Sequence, residues 1–294
     1  MTQTRNTNIY EVAGHRFAVT ANESLLQEME QQYGPFRVKD TNICRLIFWL
    51  KVVESDEFPS TEGMVEEKRF DDDFETMVIG HIGLQTYVEF FHREQCRGRL
   101  LVDVNREKAI VMAPGDALYA LNNAAMLMFT LTTSQLGTAL FHSSVVEKDG
   151  KGYMFLGVSG TGKSTHSSLW LKYIPGTQLV NDDNPVVRAN DDGTATVYGS
   201  PWSGKTPCYR NVSYPIGGIV KLEQALVNRI RPLRGIEAYA EVVPSISGKR
   251  WDKDMADGLH QTQNALVTNV PMWHLACLPD EEAAKVCYEA VTGK

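Results

Sequence analysis

The segment Gly157-Val158-Ser159-Gly160-Thr161-Gly162-Lys163-Ser164 constrains this chain more than any other, because it fits GxxxxGK[ST] at every fixed position. A short apolar run, Tyr153–Leu156, enters it with strand character. Ser164–Ile174 leaves it with helical character, until Pro175-Gly176 stops the helix. Each part has a physical task. Glycines let the backbone turn tightly, so that successive N–H groups point into one concave nest. The N-terminus of the following helix adds positive dipole character at the same place. The pattern predicts that Gly157, Ser159, Gly160, Thr161 and Gly162 cradle phosphates. Lys163 then neutralises β- and γ-phosphate charge, and the Ser164 hydroxyl ligates Mg²⁺. Thr165 either caps the helix or touches an α-phosphate. The plain alternative is a glycine-rich turn with an incidental lysine; the strand before and the helix after favour nucleotide binding.

Nineteen residues past Lys163, the apolar strand Leu179-Val180 ends in Asn181-Asp182-Asp183. Adjacent residues on a strand face opposite sides, so one carboxylate can face a metal while its neighbour faces an acceptor. Phosphoryl transfer needs a carboxylate near Mg²⁺ and often a second to take the nucleophile's proton. Asn-Asp-Asp-Asn-Pro is also rich in turn formers, and the phosphate loop upstream is what favours the functional reading. Asp191-Asp192, followed by Gly193, is explained by hairpin chemistry. His142-Ser143-Ser144 precedes the hairpin that feeds the loop, which places His142 near the phosphate end of the entering strand.

The rest of the chain sets the frame. Residues 1–113 read as a β-rich, antiparallel module assigned to an acceptor or partner. Strands are expected at Tyr10–Thr20 around Gly14, Arg45–Glu54, Thr76–His92, Arg99–Asp103 and Lys108–Ala113. A short helix is expected at Glu23–Tyr33, a hairpin near Cys96–Gly98, and an acidic loop at Asp56–Phe74. Pro114-Gly115 and the N-cap candidate Asp116 mark the boundary, and Ala117–Thr138 reads as a long helix. From there to residue 294, strands alternate with helices, as in an α/β domain. At 43% apolar and 22% charged the chain has the composition of a globular protein. A net charge of −7 with no basic block argues against nucleic acid. Five scattered cysteines without a CxxC pair argue for reduced thiols in the cytoplasm. The N-terminus has no apolar stretch of the signal-peptide kind, and Ala124–Leu131 is too short to span a membrane.

The stretch LFHSSVVEKDGKGYMFLGVSGTGKST, the later LVNDD and the closing NVPMWHLACLPDEEAAKVCYEAV are similar in order and spacing to HPr-kinase-related proteins. These belong to the HPr kinase/phosphorylase and ATP-dependent phosphoenolpyruvate carboxykinase superfamily. SGTGKST also resembles the carboxykinase loop SGTGKTT. The resemblance spans about residues 115–294. It implies a mixed-sheet phosphate-loop domain of the carboxykinase/HPr kinase type, which uses ATP or another nucleoside phosphate with Mg²⁺. It further implies that Asp183 helps hold the metal, that Asp182 accepts a proton, and that His142 lies at the metal or phosphate end. A basic residue from a later loop would hold phosphate; Lys205, after Gly204, is the candidate, with Arg210 a weaker one. Family kinases tend to be oligomers, but no interface is readable. The chain lacks an arginine-rich oxaloacetate segment and the LEIRGLGIID-like signature of genuine HPr kinases, so the acceptor half of the site is not inherited. The leading expectation is a kinase acting on a hydroxyl of a protein, peptide or small molecule. A nucleotide-controlled binding module and a carboxykinase-like enzyme are the alternatives.

Overall fold

A computed structural model describes residues 4–39, 45–71, 74–204 and 206–294, which divide into two units at Thr132/Thr133. The first unit is built on β1 (Arg5–Val12), β2 (His15–Asn22), β3 (Leu46–Val53), β4 (Val65–Asp71), β5 (Glu75–Ile82), β6 (Gln85–His92), β7 (Gln95–Val102) and β8 (Lys108–Met112). They form one sheet in the order β1-β2-β3-β8-β7-β6-β5-β4. The sheet is not wholly antiparallel, as its sequence suggests: β2–β3 and β3–β8 pair in parallel. The chain returns from β2 to β3 through helices α1 (Glu23–Glu28) and α2 (Glu30–Tyr33), a crossover that sets two strands parallel. Periodicity reports that a strand exists, not which neighbour it joins.

Further expectations change. The acidic segment 56–74 contains strand β4, every residue of which is exposed. With no buried face it shows no apolar alternation, and only its backbone pairing with β5 makes it a strand. The β6–β7 hairpin turns at Arg93-Glu94, with φ of +47° and +64°, and not at Cys96–Gly98. A type I′-like turn without glycine or asparagine gives no sequence signal. Gly98 instead lets helix α3 (Ala117–Thr133) approach the sheet, since a Cβ there would stand 2.7 Å from that of Ala120. Asp116 caps α3 by accepting from the Tyr119 N–H at 2.9 Å. The helix ends at Thr133, five residues short of the expected Thr138, which begins the next strand. α3 buries Leu121, Ala125 and Phe129, and the Phe129 ring meets Phe17 of β2 edge-on. The chain therefore divides after α3, whereas its composition shifts at 113/114.

The second unit carries β9 (Thr138–Leu140), β10 (Ser143–Lys148), β11 (Lys151–Leu156), α4 (Lys163–Tyr173), β12 (Gln178–Asp183), β13 (Val186–Ala189) and β14 (Ala195–Tyr198). It continues with β15 (Ser213–Gln224), β16 (Arg229–Leu233), α5 (Gly235–Val242), α6 (Lys253–Asn269), β17 (Met272–Cys277) and α7 (Glu281–Thr292). One run of strands is ordered β12-β10-β11-β15-β17-β16, with β11–β15 and β15–β17 parallel and the other pairs antiparallel. The first residues of β15 pair instead with β14, which continues to β13 and β9. This is a mixed α/β architecture. Trp170 of α4, fully buried, lies among Phe155, Val220, Leu275, Ala284 and Cys287, so α4 is packed between sheet and α7. Burying this cluster is the main force that fixes where the loop after β11 points. No described helix is long and apolar enough to cross a membrane.

Candidate active site

β11 ends at Leu156, in the middle of the sheet, and the glycine-rich loop follows. Gly157 has no room for a side chain: a Cβ would stand 2.9 Å from that of Thr161. The loop closes on itself where the Thr161 N–H donates to Val158 O at 3.1 Å. Gly162, with φ +103°, stands at the N-cap of α4, and no side chain caps the helix. Thr165 therefore does not cap; it is exposed on the first turn beside exposed Ser164. The orphan N–H groups of that turn thus stay available to an anion.

Lys163 folds back over the loop. It is 8% exposed, and its ammonium donates to Gly157 O at 3.0 Å. Burial pushes its pKa below the ordinary lysine value, and the negative charges of Asp183 and Asp182 act against that shift. The two aspartates thus bear electrostatically on the lysine that precedes them by nineteen and twenty residues.

Register explains how they arrive. β12 pairs with β10 so that Asp182 faces Ser144 and Asp183 faces Ser143. Ser144 in turn shares a 2.6 Å hydrogen bond with Ser167 of α4, which ties strand and helix together. Asp182 is buried and Asp183 half-exposed. His142, just before β10, is held by its amide, which donates to Ser245 O at 2.7 Å. Its ring Nε2 lies 3.2 Å from Asp183 Oδ1. The structure therefore brings together the loop lysine, both aspartates and His142.

Asp183 adopts φ +139°, a region that penalises any side chain. It is held there from several sides. Asn184 Nδ2 donates to its Oδ2 at 2.8 Å, and Asp183 bridges to Ser203. The Gly204 N–H donates to Asp182 O at 2.6 Å, and a Cβ on Gly204 would stand 2.9 Å from that oxygen. Below the pair, Asn181 Nδ2 donates to Ser200 Oγ at 3.2 Å and to Trp202 O at 3.3 Å. Ser200 Oγ donates to Asn184 O at 2.6 Å. Sequence reasoning missed Asn181, Ser200 and Ser203 as supports; the one signal was that Asn181 adjoins the acidic pair. It also missed the segment around Ser245, which reaches His142 from more than a hundred residues away.

Lys205 lies outside the described residues, although Gly204 before it is anchored to Asp182. Arg210 is spent elsewhere: its guanidinium bonds Leu179 O and Gln178 Oε1, at the opposite end of β12 from the aspartates. Asp192 accepts from the Thr194 N–H at 2.9 Å, as a turn residue does.

Among the described residues, no three His, Cys, Asp or Glu side chains form a metal cluster. Mg²⁺ held with substrate takes one or two protein oxygens and completes its shell with phosphates and water; the exposed Ser164 hydroxyl and the half-exposed Asp183 carboxylate are oxygens of that kind.

No family model matches the chain, and no curated protein matches it. Among solved structures, the HPr(Ser) kinase/phosphatase from Coxiella burnetii aligns with 52% of this chain and 94% of its own at 11% identity, with a TM-score of 0.31. A likeness that distant carries no argument about what the site does, which rests on the residues above.

Proposed function

We propose that the second unit is an ATP- and Mg²⁺-dependent phosphotransferase that moves the γ-phosphoryl group to an acceptor hydroxyl. The observation that carries this reading is Lys163, buried over a glycine loop at a helix N-terminus, with two aspartates bearing on its charge. In this reading the loop N–H groups and Lys163 hold the β- and γ-phosphates. Ser164 and Asp183 would hold Mg²⁺, which would neutralise phosphate charge when bound. Asp182 takes the proton of the acceptor hydroxyl as its oxygen bonds to the γ-phosphorus. The bond from that phosphorus to the β–γ bridging oxygen breaks, and ADP leaves with the electron pair. His142, paired with Asp183, orients that carboxylate. Lys205 is assigned to the transferring phosphoryl group. Most of the rate enhancement would come from positioning and charge, as is usual for this reaction.

The test is incubation with γ-labelled ATP and Mg²⁺, with host lysate as acceptor pool. Wild-type protein should yield a labelled acceptor. Asp182→Asn should cut transfer about 100-fold or more, the scale of general-base catalysis, with nucleotide affinity nearly intact. Equal loss of binding and transfer would remove Asp182 from that role, and label released only as free phosphate would refute the kinase.

A further inference from the structure

Strand β4 stands at one end of the eight-stranded sheet and is exposed at all seven residues, Val65–Asp71. One edge of it pairs with β5; along the other, no described residue pairs with its peptide groups. An edge in that state is a template for a further strand. The opposite end of the sheet is partly closed, because Arg37 bridges Tyr10 of β1 and the Val38 N–H donates to Ile9 O at 2.9 Å. Three apolar side chains also lie exposed in the β4–β5 hairpin: Val65, Phe70 and Phe74, at 52%, 42% and 59%. This surface lies wholly in the first unit.

The residues of β4 say what fits there. From 65 to 70 they run apolar, acid, acid, base, base, apolar: Val-Glu-Glu-Lys-Arg-Phe. A row of one charge sign would repel a second copy, whereas this order attracts one that runs antiparallel. Register decides whether the backbones can join. In an antiparallel pair both residues turn their N–H and C=O groups the same way, and within a regular strand only residues an even number apart do so. Glu66 and Arg69, like Val65 and Phe70, are an odd number apart. A bulge removes the obstacle. Glu66 pairs with Gly80 and Lys68 with Ile79, so Glu67 is an extra residue and the phase slips by one. Glu66 and Arg69 therefore share a face, where Arg69 Nε and Nη2 donate to the two Glu66 oxygens at 3.2 and 2.9 Å. With a twofold axis at Lys68, Glu66 of each copy opposes Arg69 of the other, and Val65 opposes Phe70. The two lysines that meet at the axis are the one unfavourable pair, set against two Glu–Arg and two Val–Phe pairs.

We infer that β4 is a dimer contact: a second copy of this chain adds its own β4 antiparallel, and the two sheets become one. The contact is isologous and uses up the edge in both copies, so assembly closes at two. Seven residues span about 23 Å, and a strip that long and one strand deep falls short of the roughly 1,200 Å² of stable complexes. The dimer is therefore weak, with a Kd of about 10–100 μM. Sedimentation equilibrium of the full chain, over about 5–500 μM to bracket that Kd, is the test. Wild-type protein should pass from monomer to dimer. Glu66→Arg and Arg69→Glu each set like charges opposite one another, and each should weaken association at least about tenfold. An equimolar mixture of the two variants should associate about as well as wild type, because each 66–69 contact between the two different chains is again acid against base. The pair within each chain stays broken in that mixture, so recovery reports contact between chains and not repaired folding. A monomer over the whole range, single variants that dimerise like wild type, or a mixture that stays monomeric would overturn the assignment.

Discussion

Asp183 offers a comparison in which ordinary stability rules should reverse. Its φ of +139° costs a residue with a side chain roughly 1–3 kcal/mol relative to a relaxed backbone. Asp183→Gly and Asp183→Ala both delete the carboxylate, its bond from Asn184 and its pairing with His142. Those losses cancel between the variants, leaving only Cβ and backbone freedom. At an ordinary position alanine is favoured over glycine by roughly 0.5–1 kcal/mol. Here the strain relieved exceeds that, which leaves about 1 kcal/mol in favour of glycine. For a unit of this size the difference is worth about 2–4 °C in Tm. Urea and thermal unfolding followed by tryptophan fluorescence suit the measurement, because four of the five tryptophans (170, 202, 251 and 273) lie in the second unit. Both variants should lose phosphoryl transfer to the same extent, since neither has a carboxylate. If Asp183→Ala proves as stable as Asp183→Gly or more so, the backbone at Asp183 is not under strain. The fold would then not be holding a carboxylate where it costs stability.

Two further predictions are simpler. Lys163→Ala should abolish measurable nucleotide binding while leaving the melting curve close to wild type; wild-type affinity in that variant would refute the phosphate-loop assignment. His166 predicts an acid limb. Its folded pKa of about 4 lies below the ordinary 6.5, so the unfolded chain binds the proton first. Its stability contribution is therefore complete above pH 6.5 and is lost as pH falls toward 4, by roughly 3 kcal/mol in all. His166→Gln, which keeps an acceptor for Trp170, should flatten unfolding free energy over that window; an unchanged slope would assign the acid limb to other groups.

What the sequence made legible is what local chemistry decides. The loop from Gly157 to Ser164 could be placed between strand and helix because its glycines, lysine and flanking periodicity lie within some twenty residues. The Asp182-Asp183 pair was legible for a related reason: an apolar strand ends on it. What stayed hidden depends on pairing between distant segments. Nothing in the letters around Asp183 announces a φ of +139°, because the constraint comes from Ser143 on one side and Ser203 on the other. The turn at Arg93-Glu94 and the strand at Val65–Asp71 were missed because their local residues disfavour them, and sheet pairing overrides that preference. A groove beside the loop was invisible for the same cause. Leu222 and Leu278 look like core residues one at a time, and only the parallel arrangement of β15 and β17 next to β11 brings them beside Leu169 of α4 and the glycine-rich loop. The glycine-rich loop is thus written locally, and the groove beside it is written in topology. Substitutions at Gly157 or Lys163 should therefore act on every phosphate ligand alike.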